Sequence, residues 1–119
     1  MTKNEALFKF FAGFNMDAYP TSSVPEDVIL PYLTYENNIG CVGDIVSITV
    51  NLWFHTDSEK TPNAKAEEIA EKIGRGGTQI ACDDGSIWIR RGSPWSTALS
   101  DTSDPQIKRR MLNIEIEFL

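Results

Sequence analysis

The sequence predicts an α+β domain, with a mainly antiparallel sheet of about four to five strands packed against two helices. Three patterns carry that expectation. Val46, Ile48, Val50, Leu52 and Phe54 alternate with Ser47, Thr49, Asn51 and Trp53, and Leu112, Ile114, Ile116 and Phe118 alternate with Asn113, Glu115 and Glu117. That two-residue period belongs to half-buried strands. Two further segments repeat apolar residues at helical spacing. Because each long strand keeps one wet face, the sheet should be antiparallel with both helices on its dry side.

The elements follow in chain order. Thr2-Lys3-Asn4-Glu5 has the spacing of a capping box, in which the Thr hydroxyl accepts from the Glu5 N–H and the Glu carboxylate reaches back. A short helix over 3–14 follows, with Leu7, Phe11 and Phe14 along one stripe and Phe8 and Phe10 beside it. Residues 15–31 read as an irregular arm, because Pro20, Pro25 and Pro31 with Thr21-Ser22-Ser23 oppose both a helix and a central strand. Pro31–Glu36 is expected as a strand. The segment over 46–54 is the strongest strand signal. Full burial of its five apolar side chains contributes on the order of ~10 kcal/mol before chain entropy is subtracted.

Thr61-Pro62 is expected to open the second helix, with Thr as N-cap and Pro at the first helical position. Ala66, Ile69, Ala70 and Ile73 form its apolar stripe, and Gly74 ends it. Thr78–Cys82 and Ser86–Arg90 are β-like runs joined by Asp83-Asp84-Gly85, a hairpin signal. A surface loop over 92–105 then leads to the C-terminal strand. The whole chain, 1–119, reads as a single domain of ordinary size.

Composition narrows the function classes. No apolar run reaches the ~20 residues needed to span a bilayer. The N-terminal stretch also lacks the apolar core and cleavage site of a secretory signal, so the protein is expected to stay where it is made. Net charge is −6, and the surplus of acids lies before residue 58, with two bases against seven acids. That balance argues against general affinity for nucleic acid or an anionic membrane. Cys41 and Cys82 lack a second ligand at metal spacing and read as free thiols. His55 has no motif partner, Asp83-Asp84 lacks the EF-hand spacing, and Gly74, Gly76 and Gly77 follow a helix instead of opening one. Nothing here calls for an enzyme, a metal or another cofactor.

The stretch Ile87–Trp95 stands out. It holds Trp88, Arg90, Arg91 and Trp95, the residue types that dominate protein-interface hot spots. Alternation sets Trp88 and Arg90 on one face, with Ile87 and Ile89 on the other. These four are the candidate interface residues. A plain structural role, with a core Trp and snorkelling arginines, stays open, as does a stacking platform for single-stranded nucleic acid.

Taken together, several features resemble the tail terminators, or tail-completion proteins, of long-tailed phages. They are the aromatic helix Leu7–Phe14, Val24-Pro25, Leu30-Pro31-Tyr32-Leu33-Thr34-Tyr35, the strand ending Leu52-Trp53-Phe54, Ile73-Gly74-Arg75-Gly76-Gly77, Ile87–Pro94 and the strand Met111–Leu119. The resemblance covers nearly the full length, and none of its motifs is diagnostic alone. It implies a ring-shaped homo-oligomer, usually a hexamer, at the head-proximal end of the tail in the virion, and in the host cytoplasm during assembly. Such a ring stops polymerisation of the major tail protein and offers a surface to the head–tail connector. DNA passes through its lumen as cargo without specific binding, and no membrane is involved. A head-completion protein of the same neck is the alternative.

Overall fold

The structure, a computed structural model, describes residues 1–100 and 103–119. In chain order the elements are α1 (Lys3–Phe11), β1 (Asp17–Pro20), a 3₁₀ turn (Thr21–Ser23), β2 (Tyr32–Tyr35), β3 (Ile45–His55), α2 (Lys60–Ile73), β4 (Thr78–Cys82), β5 (Gly85–Ser100) and β6 (Ile107–Phe118). The strands form one sheet in the order β1-β2-β3-β6-β5-β4. Each pairing is antiparallel except β1 with β2, which is parallel.

The two alternating segments are immediate neighbours at the centre of the sheet. Ile48 faces Ile114, Val50 faces Leu112, and Val46 faces Ile116. Ile48, Val50 and Leu52 of β3 are buried on one face with Leu112, Ile114, Ile116 and Phe118 of β6 and Ile87 and Ile89 of β5. Both helices cover that face. Leu7, Phe10 and Phe11 of α1 and Ala66, Ile69 and Ile73 of α2 complete a single core. α2 lies over β5 and β6, whereas α1 touches β1 at one edge of the sheet and β4 and β5 at the other. The sheet therefore curls until one helix reaches both of its edges. Phe11 stacks on Tyr35, with ring centres 5.0 Å apart, which locks α1 to β2.

Five expectations need correction. The sheet has six strands instead of four to five; it is mainly antiparallel as expected, with one parallel pairing, β1 with β2. The arm over 15–31 is not irregular throughout, because Asp17–Pro20 forms edge strand β1. Pro20 is tolerated there because an edge strand has donors that need no ladder partner. The loop over 92–105 is largely strand: β5 runs on to Ser100 after an irregularity between Arg91 and Ser96. Gly92, Ser93 and Pro94 sit in that bulge, where a missing N–H costs no ladder bond; positions 101–102 of the expected loop lie outside the described residues. Finally, α2 begins at Lys60 with no side-chain cap, so Pro62 is its third residue and not its first. The first turn has no intrahelical use for its N–H groups, and Pro fits there equally well. The first helix is also shorter than expected, ending at Phe11.

The capping box is present as read. Thr2 accepts from the Glu5 N–H at 3.1 Å, and the Thr2 N–H donates to the Glu5 carboxylate at 3.0 Å. The β4–β5 hairpin also matches, with Cys82 opposite Gly85 and Asp83-Asp84 at the turn. Cys41 is exposed, Cys82 half-buried, and both are free thiols.

Candidate binding face

The side of the sheet that carries no helix presents Ser47, Thr49, Asn51 and Trp53 from β3 and Arg109, Met111, Asn113, Glu115 and Glu117 from β6. Trp88 and Arg90 of β5 join them, since Trp88 pairs with Glu117 and Arg90 with Glu115. Strand alternation dictates this set: burying Ile87 and Ile89 against the helices turns Trp88 and Arg90 outward.

One aromatic–arginine cluster lies at the β5 end. The Arg90 guanidinium carbon sits 4.8 Å from the centre of the Trp88 ring. Arg90 also pairs with Glu117 at 3.0 Å and with Glu115 at 3.9 Å. Its orientation is thus set by two carboxylates that partly neutralise it. The Trp88 indole N–H donates to the Gly76 carbonyl at 2.9 Å, so the ring lies across the exit of α2. Gly77 makes that approach possible. Its φ is +88°, and a Cβ there would stand 2.5 Å from Trp88 Nε1.

A second cluster occupies the opposite end of the same face. Tyr32 stacks on Trp53 with ring centres 6.0 Å apart and planes 16° from parallel, and Tyr19 meets Tyr32 edge-on at 6.2 Å. Arg109 covers Trp53, with its guanidinium carbon 5.3 Å from the ring centre. The Trp53 indole N–H donates to the Thr34 hydroxyl at 3.3 Å. Burial pushes the Tyr32 phenol above its usual pKa. Along β6 the two clusters are eight residues apart, about 27 Å at strand rise. Between them the Asn51 side-chain oxygen Oδ1 is buried with no hydrogen-bond partner among the described residues.

The four candidate interface residues do not form one site. Trp88 and Arg90 share the helix-free face. Arg91 is exposed where the strand enters its bulge. Trp95 turns the other way: it is half-buried against the core, and its indole N–H donates to the Ala66 carbonyl of α2 at 3.2 Å. It lines a cavity of about 480 Å³ with Asn63, Ser96 and Arg110. Arg110 is buried there and held by Glu59 at 2.9 Å. Trp95 lies in the irregular stretch between Arg91 and Ser96, outside the regular ladder, and turns towards α2.

Sequence reasoning missed Tyr19, Tyr32 and Arg109. The available signal was Trp53 itself, a large aromatic on the polar side of an alternating strand. His55 ends β3 half-exposed, with Nε2 3.6 Å from an Asp104 oxygen. Among the described residues, no three His, Cys, Asp or Glu side chains come together in a set able to hold a metal.

Neither a known protein family, nor a curated protein, nor a solved structure matches the chain.

Proposed function

We propose that this chain works by binding other protein chains through its helix-free sheet face, as a tail terminator of a long-tailed phage. The observation that carries the binding reading is the pair of aromatic–arginine clusters, Tyr19–Tyr32–Trp53–Arg109 and Trp88–Arg90, held at opposite ends of one rigid face. Aromatic and arginine side chains are enriched at protein interfaces and dominate their hot spots. A site on paired strands is also held more firmly than one on loops.

The tail-end role rests on the sequence resemblance. In this reading, copies of the chain form a ring, six by analogy, on the head-proximal end of the tail tube. One side of the ring copies the next layer of tube for the major tail protein; the other withholds the polymerising surface and receives the head–tail connector. The surplus of acids suits a lumen through which DNA must pass without sticking. The test is to add purified protein to polymerising tail-tube subunits and count capped ends by electron microscopy. Capping at one end supports the proposal, and tubes that keep growing at the normal rate sink it.

A head-completion role uses the same face for a different partner. Particles lacking the protein separate the two: tails of irregular length speak for termination, normal tails with unjoined heads for head completion. Stacked Trp and Arg side chains also suit single-stranded nucleic acid. Against that stand Glu115 and Glu117 beside Arg90 and the net charge of −6. Salt-sensitive retardation of oligonucleotides would restore that reading.

A further inference from the structure

A groove of about 710 Å³ runs along the outer side of α1, between the helix and the β1–β2 edge of the sheet. Phe8, Ala12, Pro20 and Tyr35 form its apolar wall, with Glu5 and Lys9 at its rim. Tyr35 is fixed in place by its stack on Phe11, so this wall is rigid. Phe8 is 47% exposed although its neighbours Leu7, Phe10 and Phe11 are buried. A protruding aromatic ring and an apolar hollow thus lie side by side on one surface.

The geometry points to a second copy of this chain as the occupant, docked α1 against α1 about a two-fold axis beside Phe8. Such an axis requires a surface to complement itself, with each copy giving what the other receives. Phe8 of each copy fills the groove of the other, and the small Ala12 leaves room for the ring. Charge supports the same arrangement. Glu5 and Lys9 lie four residues apart on the helix, and an antiparallel approach brings Glu5 of each copy towards Lys9 of the other. A parallel approach would set like charges together. Docking leaves the helix-free sheet face uncovered, because α1 packs on the opposite side of the sheet. The pair is therefore a solution form that does not depend on the tail-end proposal, and its assay contains no tube.

The experiment is sedimentation velocity across a concentration series, with wild type compared against Phe8→Ser, Lys9→Glu and Glu5→Lys. Wild type should show a monomer–dimer equilibrium, and Phe8→Ser should weaken it about tenfold or more. Lys9→Glu alone and Glu5→Lys alone should each be monomeric, because each pairs like charges across the axis. Their equimolar mixture should recover a heterodimer, since both cross-axis contacts become opposite in sign. Glu5→Lys also removes half of the capping box, so its helix content is checked by circular dichroism, and Lys9→Glu, which leaves the cap intact, stands as the independent variant. A wild type that stays monomeric at its solubility limit overturns the inference, as does a dimer that Phe8→Ser and Lys9→Glu leave unchanged. A groove filled by another protein or by lipid would give the first of those results.

Discussion

Arg109 and Trp53 are direct cross-strand partners in register, and the guanidinium lies over the indole while Tyr32 stacks beside the same ring. A cation over one aromatic is worth roughly 0.5–1 kcal/mol at an exposed site. Arg109→Ala should therefore cost the fold about 1 kcal/mol or less, read from the urea midpoint. If the helix-free face is the binding surface, the same change should lower tube capping several-fold. Full capping by Arg109→Ala would remove this cluster from the interface.

Trp95 calls for the opposite expectation from a surface tryptophan. Its ring packs against the core beside α2, and its indole N–H holds the Ala66 carbonyl. Trp95→Ala removes buried area and opens a cavity, and the Ala66 carbonyl, inside α2, loses only its second hydrogen bond. The expected loss is about 2–4 kcal/mol. Thermal denaturation checks it; a near-wild-type midpoint would return Trp95 to the list of binding residues.

Gly77→Ala should be strongly disfavoured. The position has a left-handed φ of +88°, and an added Cβ would meet Trp88 Nε1 at 2.5 Å and the Ile89 carbonyl at 2.6 Å. Positive φ alone costs a non-glycine residue ~1–2 kcal/mol, and displacing Trp88 adds to it. A loss of about 2 kcal/mol or more in urea, with a shift in tryptophan fluorescence, is expected. Gly43, which also has positive φ but nothing within 4 Å, supplies the control: Gly43→Ala should carry the backbone cost alone.

The fold was legible in the sequence wherever one element announced itself locally. The alternation over 46–54 and 112–118 needs no knowledge of partners, and those segments turn out to be the paired central strands. The Thr2–Glu5 cap and the Asp83-Asp84 turn are equally local. What stayed hidden depends on contacts distant in sequence. Asp17–Pro20 has four residues and a proline, and it becomes a strand only because β2 lies alongside in parallel. Gly92-Ser93-Pro94 has loop composition, yet β6 carries β5 through that bulge. The second aromatic cluster takes Tyr19, Tyr32, Trp53 and Arg109 from four different strands, so register must be known before they can be seen as neighbours. Trp88 and Arg90 could be placed together beforehand because they are two residues apart on one strand.

The Thr2–Glu5 capping box makes a prediction about pH. Hydrogen bonds from the Thr2 backbone and then from its side chain hold the Glu5 carboxyl below its usual value of 4.5. A carboxyl whose pKa is depressed by folding stabilises the folded state above its unfolded value, and loses that contribution as pH falls through the folded one. Thr2→Ala removes the hydroxyl that caps α1, which costs about 1 kcal/mol at neutral pH. At a pH below the folded value of Glu5, the carboxyl is protonated in both proteins and the reciprocal half of the box is weakened in each. The gap between wild type and Thr2→Ala in urea should then be smaller than at pH 7. A gap that stays constant from pH 7 down to pH 3 would mean the two halves of the box act independently, and that Glu5 contributes nothing through Thr2.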